Sequence, residues 1–203
     1  FDGDPCPVVK IEDSLFVMEL WHGPTFAFKD MALTMLPHLM VASKKKLGID
    51  EKTLVLVATS GDTGKAALEG FKNVDGTEVI VFFPRHGVSN MQFLQMATQE
   101  GDNLSVVGIN GNFDDAQRAV KEMFVDEGLK ANLKATGRAM SSANSINWGR
   151  LAPQIAYYIS SYADLVACGE IENGDKINFV VPTGNFGNIL AGYYAYKMGL
   201  PVN

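Results

Sequence analysis

Two glycine-rich turns follow apolar segments of the chain and carry polar side chains that could bind an anion. The first, Ser60–Gly64, comes after TLVLVAT, and the second, Thr183–Asn188, comes after INFVVP. Glycines at such a turn let backbone N–H groups approach an anion, and a following helix N-terminus adds a favourable dipole. Neither turn fits the GxxxxGK[ST] or the GxGxxG pattern, so phosphate or carboxylate binding is predicted without a nucleotide. The alternative is that both turns serve backbone geometry and helix capping alone.

Lys29 lies among aromatic residues and an acid, in the segment Phe26–Asp30. An amine held in an apolar pocket loses its proton more readily and can attack a carbonyl carbon. Alternatively, Lys29 lays its apolar stem along the surface and pairs with Asp30 at the start of a helix. Residue spacing alone favours this second, structural role.

A third candidate is the polar segment Ser141–Arg150, which contains hydroxyls, amides and one arginine within ten residues. Such a segment could clamp a phosphate, with Arg150 donating two parallel hydrogen bonds. It could equally be a polar loop whose side chains cap the next helix. Composition does not separate these two alternatives.

The elements that must position these residues alternate between apolar runs and amphipathic segments. Apolar runs without polar alternation, separated by helices, predict a parallel sheet that is covered on both faces. Ligands of such sheets bind at the carboxyl ends of the strands, where both turns would lie. Strands are predicted at Thr53–Ala58, Glu78–Phe83, Leu104–Ile109 and Ile177–Val181. Helices are predicted at Thr63–Phe71, Asn90–Thr98, Asp114–Glu127, Pro153–Ala163 and Ile189–Met198, with Ala131–Gly137 as a connecting region.

The part of the chain before this alternation is patterned differently. Val8–Glu19 contains a turn signal and predicts a hairpin or two short strands. Asp30–Leu47 is patterned as a helix with an acid at its start and lysines at its end, which suits the helix dipole. Pro37 should kink or split that helix.

Composition excludes several classes of protein. The 203 residues carry a net charge of -6, which gives no support for a nucleic-acid-binding protein. No apolar run reaches the ~18 residues of a membrane span. Two cysteines cannot build a secreted disulfide framework, and three scattered histidines offer no zinc spacing, so we expect no metal and a cytoplasmic location. The start without Met and the end at Asn203 lead us to expect a fragment of a longer protein.

Four segments, in this order, resemble the threonine synthase family. They are ELWHGPTFAFKD at residues 19–30, SGDTG at 60–64, ANSINWGR at 143–150 and PTGNFGN at 182–188. The resemblance implies a pyridoxal-phosphate-dependent enzyme of the tryptophan-synthase β-like fold (fold type II), an α/β fold with parallel sheets flanked by helices in two lobes. The lobes would be a small one at 51–140 and a larger, incomplete one at 1–50 and 141–203. The family converts O-phospho-L-homoserine and water into L-threonine and phosphate.

The resemblance also implies a role for each matching position. Lys29 would be the catalytic lysine that forms the Schiff base with the cofactor. The cofactor phosphate would be held by Gly184, Asn185, Phe186, Gly187 and Asn188. The substrate and the cofactor ring would be faced by Ser60, Gly61, Asp62, Thr63 and Gly64. The substrate phosphate would be bound by Asn144, Ser145 and Arg150.

Some expectations depart from this pattern or compete with it. Many related enzymes have Asn where this chain has Asp62, and a carboxylate there must be either protonated or paired with a cation, for which Lys65 is a candidate. The group that faces the pyridine nitrogen is expected outside this chain.

The resemblance also implies a homodimer that acts on a small-molecule substrate. The alternatives are a serine or threonine dehydratase of the same fold, an inactive phospholigand-binding relative, and an α/β domain whose glycine turns are structural.

Overall fold

The computed structural model of the protein describes residues 3–145, 147–182 and 186–203. The chain forms two compact units. The terminal unit consists of Phe1–Ala32 and Trp148–Asn203, and the central unit consists of Leu33–Asn147. The small lobe at 51–140 and the larger lobe at 1–50 and 141–203 remain predictions.

The described residues form six strands and eight helices. The strands are β1 Val8–Glu12, β2 Leu15–Met18, β3 Lys52–Ala58, β4 Thr77–Pro84, β5 Leu104–Ile109 and β6 Arg138–Ser142. The helices are α1 Asp30–Leu33, α2 Leu36–Leu47, α3 Asp62–Phe71, α4 Asn90–Ala97, α5 Phe113–Val125, α6 Glu127–Ala135, α7 Trp148–Ala167 and α8 Gly187–Lys197.

The central unit is built on a four-stranded parallel sheet with the order β5-β4-β3-β6. Both faces of β3 are buried, as the unbroken apolar run predicts. Because side chains alternate along a strand, Val55 and Val57 pack with α3 on one face, and Leu54 and Leu56 pack with α5 on the other. Each such side chain contributes about 1.5–3 kcal/mol when fully buried. This burial makes β3 a rigid support for the turn that follows it.

The central unit differs from the sequence predictions at two places, one predicted wrongly and one not predicted. The connecting region predicted at Ala131–Gly137 is largely helix, because α6 continues to Ala135. Asp126 ends α5 and caps α6, with its side chain accepting a hydrogen bond from the Leu129 N–H, so the two helices are distinct. Strand β6 was not predicted, because its sequence RAMSS has no apolar run. It is an edge strand, whose pairing with β3 comes from the tertiary structure.

The predicted helix at Asp30–Leu47 is split, as Pro37 suggests. Pro37 lies in the first turn of α2, where its missing N–H costs no helical hydrogen bond. Gly48 ends α2 in the left-handed region with φ 66°.

The terminal unit has its own core. The hairpin of β1 and β2 is antiparallel and confirms the prediction for Val8–Glu19. Tyr157 and Tyr158 of α7 are fully buried among residues of α8 and the hairpin end. The fourth buried strand predicted at Ile177–Val181 is wrong: within the described ranges Ile177 forms an isolated parallel bridge with Val202, and Val180 is 94% exposed. A strand needs a paired neighbour along its length, which an apolar run alone does not supply.

Among the described residues, no helix is long and apolar enough to cross a membrane.

Candidate functional site

The turn that presents Lys29 is organised around the carboxylate of Asp30. This carboxylate is buried and accepts hydrogen bonds from the Thr25 N–H at 2.8 Å, the Thr25 hydroxyl at 2.5 Å and the Ala27 N–H at 3.5 Å. Gly23 allows this close approach, because a Cβ there would lie 2.5 Å from Asp30 Oδ2. The backbone on both sides of Lys29 is therefore fixed.

The Lys29 ammonium lies 4.6 Å from the centre of the Phe28 ring, within the range of a cation–π interaction. Lys29 itself is half-buried at the start of α1. An amine placed beside an aromatic face, on a fixed backbone, is able to act as a nucleophile or a base.

The Ser60–Gly64 turn follows β3 at the carboxyl edge of the central sheet. The buried hydroxyl of Thr59 accepts hydrogen bonds from the N–H groups of Gly61 and Gly64, both at 2.9 Å. Gly61 has φ 138°, and a Cβ on it would lie 2.3 Å from the amide carbon of Gln92. The turn therefore requires glycine at 61, and Thr59 is a structural residue of the site that the sequence did not identify.

Asp62, the first residue of α3, has a cation and an amide beside it. Lys65 Nζ lies 3.7 Å from Asp62 Oδ1, which confirms the partner expected from the sequence. Gln92 Nε2 also donates a hydrogen bond to this oxygen at 2.9 Å. Gln92 is 30 residues away on α4, where it forms a capping box with Ser89. The sequence signal at Gln92 is that of a helix cap, and its contact with Asp62 is tertiary.

Asn144 and Ser145 follow β6 at the same edge of the central sheet. Asn144 Nδ2 donates to the Ala58 carbonyl at 3.1 Å, and its N–H donates to Ser142 Oγ at 3.1 Å. Because β3 and β6 are parallel neighbours, these contacts bring Asn144 beside the start of the Ser60–Gly64 turn. Two of the four predicted segments therefore meet within the central unit.

Arg150 lies in the first turn of α7, in the terminal unit, and is 4% exposed. Burial lowers the pKa of Arg150 to about 10, which still leaves the guanidinium protonated at neutral pH. The Arg150 carbonyl accepts a hydrogen bond from Gln154 Nε2 at 2.8 Å, one turn along the helix. A buried, protonated guanidinium is a strong donor to a phosphate.

The second glycine turn leads into α8 of the terminal unit. Thr183, Gly184 and Asn185 lie outside the described residues. Phe186 precedes the helix without a side-chain cap, and α8 begins at Gly187. The Asn188 carbonyl accepts a hydrogen bond from the Tyr158 hydroxyl at 2.8 Å. A helix N-terminus of this kind favours an anion.

The terminal unit thus holds two groups that suit an aldehyde carrying a phosphate: the amine of Lys29 and the N-terminus of α8. A lysine amine reacts with an aldehyde, and a helix N-terminus binds phosphate without a full positive charge. The donor set of the chain therefore fits pyridoxal phosphate.

Comparison with known proteins gives consistent matches along the chain. The model of the family described as "Pyridoxal-phosphate dependent enzyme" matches residues 5–202. Threonine synthase from Pseudomonas aeruginosa is 44% identical over 198 residues, covering 98% of this chain and 40% of that protein. Threonine synthase-like 1 from Homo sapiens is 43% identical over 203 residues, covering 97% of this chain and 27% of that protein.

A solved structure matches the fold of this chain. The crystal structure of threonine synthase from Brucella melitensis with bound pyridoxal phosphate has a TM-score of 0.84 and 42% identity, covering 97% of this chain and 40% of that chain. The parallel sheet flanked by helices is therefore that of fold type II, as expected, and the cofactor is pyridoxal phosphate. The chain spans about two fifths of the length of the threonine synthases that it matches. Because the family match runs over residues 5–202 and the identities exceed 40%, the chain belongs to the family of pyridoxal-phosphate-dependent enzymes, among the relatives of threonine synthase.

Proposed function

We propose that the protein containing this chain is a threonine synthase, which converts O-phospho-L-homoserine and water into L-threonine and phosphate. The observation that carries this proposal is the 44% identity to a threonine synthase along 98% of the chain, including all four segments that could bind cofactor and substrate.

In this proposal the terminal unit holds the cofactor. Lys29 would bind its aldehyde carbon, and the α8 N-terminus at Phe186, Gly187 and Asn188, with Gly184 and Asn185 before it, would hold its phosphate. When bound, pyridoxal phosphate serves as an electron sink that stabilises negative charge on the substrate carbons.

The Ser60–Gly64 turn would face the substrate and the cofactor ring with the Ser60 and Thr63 hydroxyls and with backbone N–H groups other than those of Gly61 and Gly64, which donate to Thr59. Asp62 is compatible with an anionic substrate because Lys65 offsets its charge and Gln92 donates a hydrogen bond to it. The Asp62 carboxylate would therefore support the structure of the turn. The other backbone N–H groups of the turn would meet the ligand.

Asn144, Ser145 and Arg150 would bind the substrate phosphate. Amide and hydroxyl donors orient this group, and the guanidinium of Arg150 supplies positive charge as the phosphate leaves.

Lys29 would also move the protons of the reaction. Lys29 Nζ takes the proton from the α-carbon and releases it to solvent, and the amine then takes a proton from the β-carbon of the substrate. The C–O bond at the γ-carbon breaks and its electron pair leaves with the phosphate, which Asn144, Ser145 and Arg150 receive. The γ-carbon takes from Lys29 the proton that came from the β-carbon and becomes the methyl group. Water adds its hydroxyl at the β-carbon and gives its other proton to the departing phosphate, and the α-carbon regains a proton from solvent.

The test is the product balance of the full protein with O-phospho-L-homoserine. We expect phosphate and L-threonine to form in equal amounts in the presence of pyridoxal phosphate. Lys29→Ala removes the amine and is expected to lower the rate by about 10³-fold, within the range known for a lost acid–base group. Phosphate without threonine, or full activity of Lys29→Ala, would contradict the proposal.

A second candidate function is that of an inactive relative that binds a phosphorylated ligand. A dehydratase of the same fold is the third. Pyruvate or 2-oxobutyrate from L-serine or L-threonine, with no phosphate released from O-phospho-L-homoserine, would identify the dehydratase. Saturable binding of O-phospho-L-homoserine without turnover would identify the inactive relative.

We also propose a homodimer in the cytoplasm, as the resemblance and the composition suggest. Light scattering of the full protein and cell fractionation measure these two properties directly.

A further inference from the structure

Tyr158 connects α7 to the beginning of α8. Its side chain is 2% exposed, and its hydroxyl donates a hydrogen bond of 2.8 Å to the carbonyl of Asn188, the second residue of α8. This bond ties the first turn of α8 to a helix in the middle of the core of the terminal unit.

The ring of Tyr158 is also held from several sides. The ring centres of Tyr157 and Phe179 both lie 4.9 Å from it, with Phe179 edge-on at 78°. Gly192, one turn into α8, approaches the ring so closely that a Cβ there would lie 2.9 Å from Tyr158 Cε1. Phe179 precedes the second glycine turn, Asn188 is the last residue of that turn, and Gly192 follows it. A single side chain therefore contacts the segments on both sides of the turn.

The hydroxyl keeps its proton under ordinary conditions. Burial raises the pKa of Tyr158 to about 12. The hydrogen bond to the Asn188 carbonyl is therefore donated throughout the neutral pH range.

We propose that Tyr158 is a positioning residue for the cofactor phosphate: it fixes the α8 N-terminus so that the backbone N–H groups of the first turn of α8 point at that phosphate. This inference rests on the proposed function, which assigns the phosphate to that turn. Tyr158 acts through Asn188 and does not itself contact the cofactor.

Tyr158→Phe isolates the hydroxyl, because the ring and its packing remain. The matched control is Tyr162→Phe, one turn along the same helix. Tyr162 is also buried, and its hydroxyl bonds to the Asp175 carbonyl at 3.2 Å and the Gly174 N–H at 2.8 Å, away from α8. Both variants remove a tyrosine hydroxyl from α7. The Tyr158 hydroxyl bonds to α8, and the Tyr162 hydroxyl bonds to residues 174 and 175.

The measurement is a spectroscopic titration of the cofactor-free full protein with pyridoxal phosphate and, separately, with pyridoxal, which has no phosphate. For Tyr158→Phe we expect the dissociation constant of pyridoxal phosphate to rise about three- to tenfold, the range of one lost neutral hydrogen bond. Pyridoxal should bind as it does to the wild type, and Tyr162→Phe should leave both constants unchanged. This selectivity for the phosphate is a readout that loosened packing would not give.

Wild-type affinity of Tyr158→Phe for pyridoxal phosphate would overturn the inference, and so would an equal loss for both ligands. If Tyr158→Phe does not fold, Gly192→Ala provides the second variant, because its methyl group would push α8 away from the Tyr158 ring. It is expected to give the same phosphate-selective loss, and unchanged affinity would contradict the inference. The titration uses no substrate, so a missing threonine synthase activity would be seen separately as a lack of phosphate release by the wild type.

Discussion

At the residue scale, Asp62 in the Ser60–Gly64 turn contacts the side chains of Lys65 and Gln92. The pairing of Asp62 with Lys65 follows from their i,i+3 positions on one helix face. The contact of Asp62 with Gln92 joins residues 30 positions apart, which only the packing of α4 beside α3 determines. Gln92 therefore links the first residue of α3 to α4.

Gln92→Glu tests whether this tertiary contact matters for the turn. Glutamate keeps the capping box with Ser89, because either residue serves at that position, but it places a carboxylate against Asp62. We expect unchanged thermal stability to within a few degrees and a fall of about tenfold in kcat/KM for O-phospho-L-homoserine, corresponding to ~1.4 kcal/mol of repulsion near the substrate. Steady-state kinetics and a melting curve of the full protein measure both.

The control for this variant is Gln99→Glu. Gln99 Nε2 donates to Glu69 Oε2 at 2.8 Å, so the same change opposes two carboxylates in the same unit, away from the turn. If Gln99→Glu lowers kcat/KM as much as Gln92→Glu, the effect is a general one and Gln92 has no particular role in the turn.

Element-scale prediction succeeded where burial follows from the pattern of the chain itself. The strands β3, β4 and β5 were predicted to within about one residue from their apolar runs. The expected cover on both faces holds for β3, whereas β5 lies at an edge of the sheet and alternates between half-buried and exposed residues over most of its length. Strand β6 and the failed strand at Ile177–Val181 show the limit of this reasoning. β6 is only weakly apolar, and it is a strand because it pairs with β3 at the edge of the sheet. The run at 177–181 is apolar, but in the described residues it has no strand pairing beyond the bridge at Ile177.

A cross-strand ion pair supports β6 and gives an acid-dependent stability. Arg138 of β6 donates to Glu78 of β4 through Nε at 2.6 Å and Nη2 at 2.9 Å, reaching across β3. These hydrogen bonds lower the pKa of Glu78 from its ordinary value. Because the folded pKa is the lower one, the pair stabilises the fold above the unfolded pKa of about 4.3, and this contribution is lost as the pH falls through the folded value.

Glu78→Gln is expected to lower the free energy of unfolding by at most about 1 kcal/mol at pH 7, since the pair is partly exposed. The difference from wild type should shrink below pH 4, which denaturant titrations at pH 7 and pH 3 would measure. Glu127→Gln, which removes a more exposed pair with Lys130 on α6, serves as the control and should change little. A larger loss for Glu78→Gln at pH 3 than at pH 7 would contradict this account.

At the scale of the whole molecule, the fold type and the cofactor followed from the order of four short segments, and the comparisons confirm both. Neither periodicity nor composition could have supplied the cofactor, since each segment alone also has a structural explanation. The substrate and the role of each site residue stay proposals. They depend on groups from both units and on the parts of the relatives that this chain does not span.

The central claim is that Lys29 holds pyridoxal phosphate in an active enzyme, and reductive trapping tests it most directly. The full protein is incubated with pyridoxal phosphate, reduced with borohydride, digested, and mapped by mass. We predict one phosphopyridoxyl adduct, on Lys29, and none when O-phospho-L-homoserine analogues that occupy the site displace the lysine before reduction. An adduct on another lysine, or none on Lys29 of the full protein, would contradict the account.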